Sequence, residues 1–177
     1  MIAAQPHQPT PPQLAVIAWP DPAVQAVGHR PGSAYIEGVW LGVLGPSATW
    51  AWQRLALLAA TGTNQTVDTV DLAVSLGLGA NLGPNAAISR TLGRLVAFGV
   101  AERADAVIAV RTALPDLPAR HTGRLSATAR LAHQHLPRRH TPNPAGAHAT
   151  AHTAAHTAAR GAADTAWDVA QPVGMPL

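Results

Sequence analysis

Large apolar side chains are confined mainly to one part of this chain, and that segregation limits what it can fold into. Leu, Ile, Val and Trp concentrate between Tyr35 and Leu117; the residues before are punctuated by proline, and those after are rich in Ala, Thr and His. Ends of such composition bury too little apolar surface to offset the entropy of ordering them. The core must come from the middle. A chain of 177 residues, 47% hydrophobic, has room for one domain of usual size with irregular flanks. The expected division is a Pro-rich irregular segment over 1–31, a folded domain over 32–136, and a low-complexity, Ala/His/Thr-rich basic tail over 137–177. Both flanks are expected to be disordered.

Within the domain, breakers and periodicity set the elements. Tyr35, Ile36, Val39, Trp40 and Val43 recur at helical spacing until Gly45-Pro46 stops the run. That proline suits the first turn of a second helix, Ser47 to about Ala60. This helix is apolar nearly all round, which predicts a central position or partial burial by a partner subunit. Trp50 and Trp52, two residues apart, cannot face the same way, so one of them is a candidate for a dimer interface. A short β-branched segment follows. Asp68 or Thr69 then caps a third helix, Val70 to about Leu76. A glycine-rich connection leads to N-A-A-I-S-R-T-L-G-R-L-V-A-F-G-V, Asn85 to Val100. Two short strands turn at Ala104-Asp105 with period-two alternation around Val107 to Thr112. Ser126 caps a last helix, which Pro137 stops. The fold class expected is mainly α with a small β hairpin, in the order of a winged helix-turn-helix.

Charge is uneven. From Ala119 to Gly161 there are six arginines (Arg120, Arg124, Arg130, Arg138, Arg139, Arg160) and no acid, whereas the domain is nearly neutral. A basic arm of this kind suits a polyanion, most simply nucleic acid. In the 85–100 helix, Ile88, Leu92, Leu95 and Val96 share one side at about 100° per residue. Arg90 and Arg94 lie opposite them among the small residues Ser89, Gly93 and Ala97. Small neighbours let a helix lie close to a groove wall while long guanidinium groups reach past it. Arginine pairs bidentately with guanine or clamps phosphates. Asn85, Ala86 and Ser89, near the helix start, stand where a recognition helix meets base edges. Asn85 also serves as a cap.

The segments L-G-P-S-A-T-W-A-W-Q-R-L (Leu44 to Leu55), V-D-L-A-V-S-L-G-L-G (Val70 to Gly79) and I-S-R-T-L-G-R-L-V-A-F-G-V-A (Ile88 to Ala101) resemble those of uncharacterised actinobacterial winged-helix proteins. More distantly, they are similar to bacterial regulators of the MarR and GntR type. The resemblance covers roughly Gly32 to Leu136. It implies major-groove contacts by Asn85, Ser89, Arg90 and Arg94, and wing contacts by Arg103 and Arg111. Two features depart from the pattern: the turn from Gly77 to Pro84 exceeds the roughly 3–4 residues of a simple helix-turn-helix, and the wing carries few basic residues.

Other chemistry finds little support. With no cysteine, disulfides, thiolate metal sites and cysteine nucleophiles are excluded. No G-x-S-x-G, P-loop or dinucleotide fingerprint is present, so neither an enzyme nor a cofactor is expected. His148, His152 and His156 form an i, i+4 series, but within a low-complexity tract that lacks carboxylate ligands, and no metal site is assigned. The N-terminus lacks the features of a signal peptide. The apolar run Gly38 to Gln53 is short for a membrane span and is broken by Gly45-Pro46. The expectation is a cytoplasmic DNA-binding transcriptional regulator, with duplex DNA and a second copy of the chain as partners and no membrane association. The alternative is a winged-helix module for protein–protein interaction or dimerisation.

Overall fold

The computed structural model describes residues 9–19, 21–62 and 64–137. The histidine series and the tail beyond Pro137 lie outside the described residues. In chain order the elements are β1 (Gln13–Ala18), α1 (Pro22–Val27), a π-helical turn (Ile36–Trp40) running into α2 (Leu41–Leu44), α3 (Pro46–Ala59), β2 (Gln65–Asp68), α4 (Thr69–Ser75), α5 (Ala87–Ala97), β3 (Ala101–Ala104), β4 (Val107–Val110), α6 (Ala119–Thr122) and α7 (Ala127–His135).

The helices form where breakers and caps direct them. Gly45, at φ 80°, ends α2, and Pro46 occupies the first turn of α3, where its missing N–H costs nothing. Asp68 caps α4 by accepting from the Asp71 amide at 2.8 Å. Ser126 caps α7 by accepting from Ala129 at 3.2 Å. Tyr35, Ile36, Val39, Trp40 and Val43 are all buried, as their spacing requires. The two neighbouring tryptophans divide as expected. Trp52 is fully buried and its indole N–H donates to the Arg111 carbonyl at 2.8 Å, whereas Trp50 is 58% exposed.

The sheet corrects the expected architecture. The segment taken as irregular over 1–31 contributes both a strand and a helix, and the hairpin is part of a four-stranded sheet ordered β2-β1-β4-β3. β1 pairs antiparallel with β2, from Gln13 opposite Asp68 to Val16 opposite Gln65. On its other side it runs parallel to β4, from Ala15 beside Val107 to Ala18 beside Val110. β3 and β4 form the antiparallel hairpin, turning at Asp105, which takes φ 48°; aspartate tolerates this left-handed region better than most residues. A central strand covered on both faces reads as a continuous apolar run, which accounts for L-A-V-I-A in β1 and V-I-A-V in β4.

One sheet face meets the helices. Leu14, Val16, Ile108 and Val110 join the main core with Trp52, Leu55, Ile88, Leu92 and Leu95. The other face carries Ile17, Trp19, Val107 and Ala109. α7 packs across the π-helical turn and α2. A methyl group at Gly38 would stand 3.3 Å from the Ala132 Cβ, so the absence of a side chain there is what lets the two segments approach.

Tyr35 fastens this helical layer to the chain beyond the sheet. Its ring stacks on His29 with centroids 3.8 Å apart. Its hydroxyl accepts from the Leu117 amide at 3.0 Å and lies 2.7 Å from His133 Nδ1. His29 in turn bonds Asp116 at 2.7 Å. Tyr35→Phe keeps the ring but leaves the Leu117 N–H unpaired. The expected cost is about 1–3 kcal/mol, read as a lower urea midpoint at unchanged slope.

Candidate nucleic-acid interface

The amphipathic pattern of α5 positions its charged side. Ile88, Leu92 and Leu95 are fully buried, and Arg90, Arg94 and Ala97 are exposed on the opposite side. The Arg90 guanidinium makes no hydrogen bond or ion pair among the described residues. Arg94 reaches across to α2, where Nη2 donates to the Val43 carbonyl at 2.7 Å. Between α5 and the α2–α3 junction lies an open groove of about 670 Å3, whose lining includes Gly45, Pro46, Ser47, Arg90, Gly93 and Arg94. The groove therefore has two guanidinium groups on one wall and the start of α3 on the other.

This positive surface extends past the end of α5. Phe98 has the guanidinium carbons of Arg94 and Arg124 each 5.3 Å from its ring centroid. His121 packs on the same ring at 4.9 Å, and its Nε2 accepts from Arg120 at 3.1 Å. Burial, followed by the neighbouring Arg120 and Arg124 charges, lowers the His121 pKa below the ordinary histidine value. The imidazole is thus mainly neutral at pH 7, and the local charge belongs to the arginines. Arg120 and Arg124, assigned by sequence to the arm, are fixed against the charged helix by α6 and its following turn. Arg124 lies over the Phe98 ring directly and Arg120 reaches it only through His121; the chain itself gives no sign of this, since 22 to 26 positions separate them from Phe98.

The other expected contact residues are placed differently. Asn85 is exposed in the turn before α5 but is not its cap; that position is Ala86, which has no side-chain bond to the helix. Ser89 is 2% exposed, donates to the Gly83 carbonyl at 2.8 Å, and lies 2.8 Å from the Thr10 hydroxyl. It is withdrawn from any groove contact and holds the loop before α5. Arg103 is half-buried and donates to the carbonyls of Pro9, at 2.8 Å, and Asp105, at 3.2 Å. Burial lowers its pKa below the ordinary arginine value, opposed by the Asp105 charge. Arg111 is no wing contact. It is 4% exposed, ion-paired with Asp21, stacked 4.3 Å above the Trp19 ring, and bonded through Nε to the Gly99 carbonyl at 3.0 Å.

These three displacements share one cause. Residues 9–19 run along the sheet and past the start of α5, where Thr10 N–H also donates to the Leu82 carbonyl at 3.0 Å, and Asp21 follows at the strand's exit. The pattern that reveals the strand is the apolar run L-A-V-I-A-W between P-P-Q and P-D-P, whose length and bounding prolines fit a fully buried strand. Among the described residues no three His, Cys, Asp or Glu side chains are grouped to hold a metal, and no helix is long and apolar enough to cross a membrane.

The chain matches no family model, no curated protein and no solved structure. Its own geometry is therefore the basis for assigning it a role.

The Arg111–Asp21 pair has a direct thermodynamic consequence. Arg111→Ala strands a buried carboxylate, and loss of one partner of a buried pair costs about 3–5 kcal/mol. Arg30→Ala, at an exposed position, should stay within about 0.5 kcal/mol. Parallel denaturant titrations of the two variants make the comparison.

Proposed function

We propose that the protein binds duplex DNA through the exposed side of α5 and acts as a transcriptional regulator built on a winged-helix arrangement. The observation that carries this reading is the surface made by Arg90 and Arg94 and continued by Arg124 over Phe98 and by Arg120 on the neighbouring His121. None of these four guanidinium groups has an acidic partner among the described residues. Ordinary solvent-facing arginines do not require clustering, whereas a polyanion does. The order α3, β2, α4, α5, β3, β4 supports the fold reading, with α5 in the slot of the recognition helix. β1 is an addition to that order.

In this reading Arg90 is the residue free to pair with a base edge. Arg94, already engaged with Val43, suits a phosphate more than a base. Arg120 and Arg124 add phosphate contacts at the end of the helix. Asn85 remains available at the helix start. Ser89, Arg103 and Arg111 have structural work instead, so the hairpin contributes little to binding.

A second reading, a module for protein interaction alone, is favoured by the exposed Trp50. Retention on heparin by a chain ending at Pro137 supports binding by the domain itself; loss of retention leaves only the tail.

The central test is an electrophoretic mobility-shift titration of a target site obtained by selection from random duplexes. Arg90→Ala is expected to cost about 1–3 kcal/mol and to relax preference at one position. Removing residues 138–177 is expected to weaken binding to all sequences, with the salt slope falling by about 0.9 for each phosphate no longer neutralised. An unchanged titration for Arg90→Ala rules out the role given to α5.

A further inference from the structure

The sheet is buried on both faces, yet the described helices account for only one. α3, α4, α5 and α7 all contribute to the main core, on the side of Leu14, Val16, Ile108 and Val110. The second cluster, Ile17, Trp19, Val107 and Ala109 with Ala15 and Ala104 against it, contains no helix residue. The sheet cannot hide this face by itself. Val107 has Ala15 and Ala104 as its cross-strand neighbours, and Ala109 follows it on the same face. A valine stands above three alanines, but Val107 is 1% exposed. α1 gives no cover there, since it ends at Gly28, which lies against Ala113 and Leu114 beyond β4. This burial is a property of a single chain.

We propose that the chain's own run over 145–171 covers the second sheet face. Apart from Pro20 and Thr63, the chain outside the described residues consists of 1–8 and 138–177. The leading eight suit the place poorly. They hold no Arg or Lys, and Met1 and Ile2 are their only large apolar residues. They join the described chain at Pro9, whose carbonyl accepts from Arg103; Arg103 pairs with Ile108 and so faces the helical side. The C-terminal run fits in length, size and charge. It is free of proline between Pro144 and Pro172. The face is about 13 Å long from Ala15 to Trp19, which about ten residues of helix would cross. Alanine predominates in the run, as at Ala159, Ala162 and Ala166, so its backbone can approach a face from which Ile17 and Val107 already protrude. Trp167 and Val169 supply larger apolar surface for the shallow floor of alanines. Glu102, 6% exposed, stands beside Ala109 on this face. With Asp21 it sets two acids against the single base Arg111, and Arg160 inside the run restores the balance. The inference does not rest on the DNA reading, because Arg90 and Arg94 lie on α5 and Arg138 and Arg139 precede the run.

Two measurements on the full chain test it. Trypsin is expected to cut after Arg160 at least about tenfold more slowly than in a free 138–177 peptide, because cleavage follows the population of the open form. Trp167→Glu brings the rate at that bond back to the peptide's. The chain has no cysteine, so a nitroxide carried by Ala166→Cys is a single label. It is expected to broaden the methyl resonances of Ile17 and Val107 and to leave those of Leu57 and Val74, exposed on α3 and α4, sharp. Cleavage at the peptide's rate overturns the proposal, as does protection that Trp167→Glu leaves intact. Sharp Ile17 and Val107 resonances in the Ala166→Cys chain overturn it too. Broadening by a label on Ala3→Cys alone assigns the cover to residues 1–8. Broadening seen only between a labelled chain and a separate, isotope-enriched chain assigns it to a partner copy. Either of these last two results also overturns the proposal.

Discussion

The structure depends on β1 being paired on both sides. β2 and β4 do not touch each other in the sheet; each bonds to β1, one antiparallel and one parallel. Without that strand, β2 loses its ladder and β4 exposes an edge, and the residues of both sheet faces lose their neighbours. Unpaired backbone groups in a buried setting are costly. Integrity of the hairpin and the helical layer is therefore linked to a segment far away in sequence, close to the start of the described residues. The Asp21–Arg111 pair and the stack of Arg111 on Trp19 secure the end of this strand against the end of β4.

The same strand determines which arginines are free. Its approach places Pro9 and Thr10 against Arg103 and Ser89, and its exit delivers Trp19 and Asp21 to Arg111. Arginine has five donors and a flat apolar face, so it serves a buried network as well as an exposed anion site. Position alone distinguishes the two uses. Arg90 has no such partner, and Arg94 spends one donor on Val43 while keeping its exposure. The positive surface is consequently narrower at the hairpin than the resemblance implied. It is broader at the C-terminal end of α5, where Arg124 and His121 gather around Phe98.

Much of the helical architecture was legible because its determinants are local. Gly45-Pro46 could only separate two helices, Asp68 and Ser126 were caps in waiting, and the apolar sides of α5 and of the segment from Tyr35 to Val43 followed from spacing. Asn85 shows the limit of such reasoning. It has a capping side chain, but the helix begins one residue later than that role requires, and Ser89 bonds back to Gly83 instead. β1 was missed for a different reason. Its proline-bounded apolar run signals a strand, but its partners are about 50 and 90 residues away, so nothing nearby identifies what it pairs with or that it is central.

By itself the sequence determined where helices start and stop, which sides of them are apolar, and that α5 presents Arg90 and Arg94 away from the core. Those properties depend on backbone bonds and side-chain spacing within a few residues. Tertiary structure alone decided that the leading segment is a central strand, that Ser89, Arg103 and Arg111 are structural, and that Arg120 and Arg124 join the charged helix. Each of these depends on contacts between residues remote in the chain. Whether a long polar side chain meets a buried partner or open solvent is set by what folds back onto it.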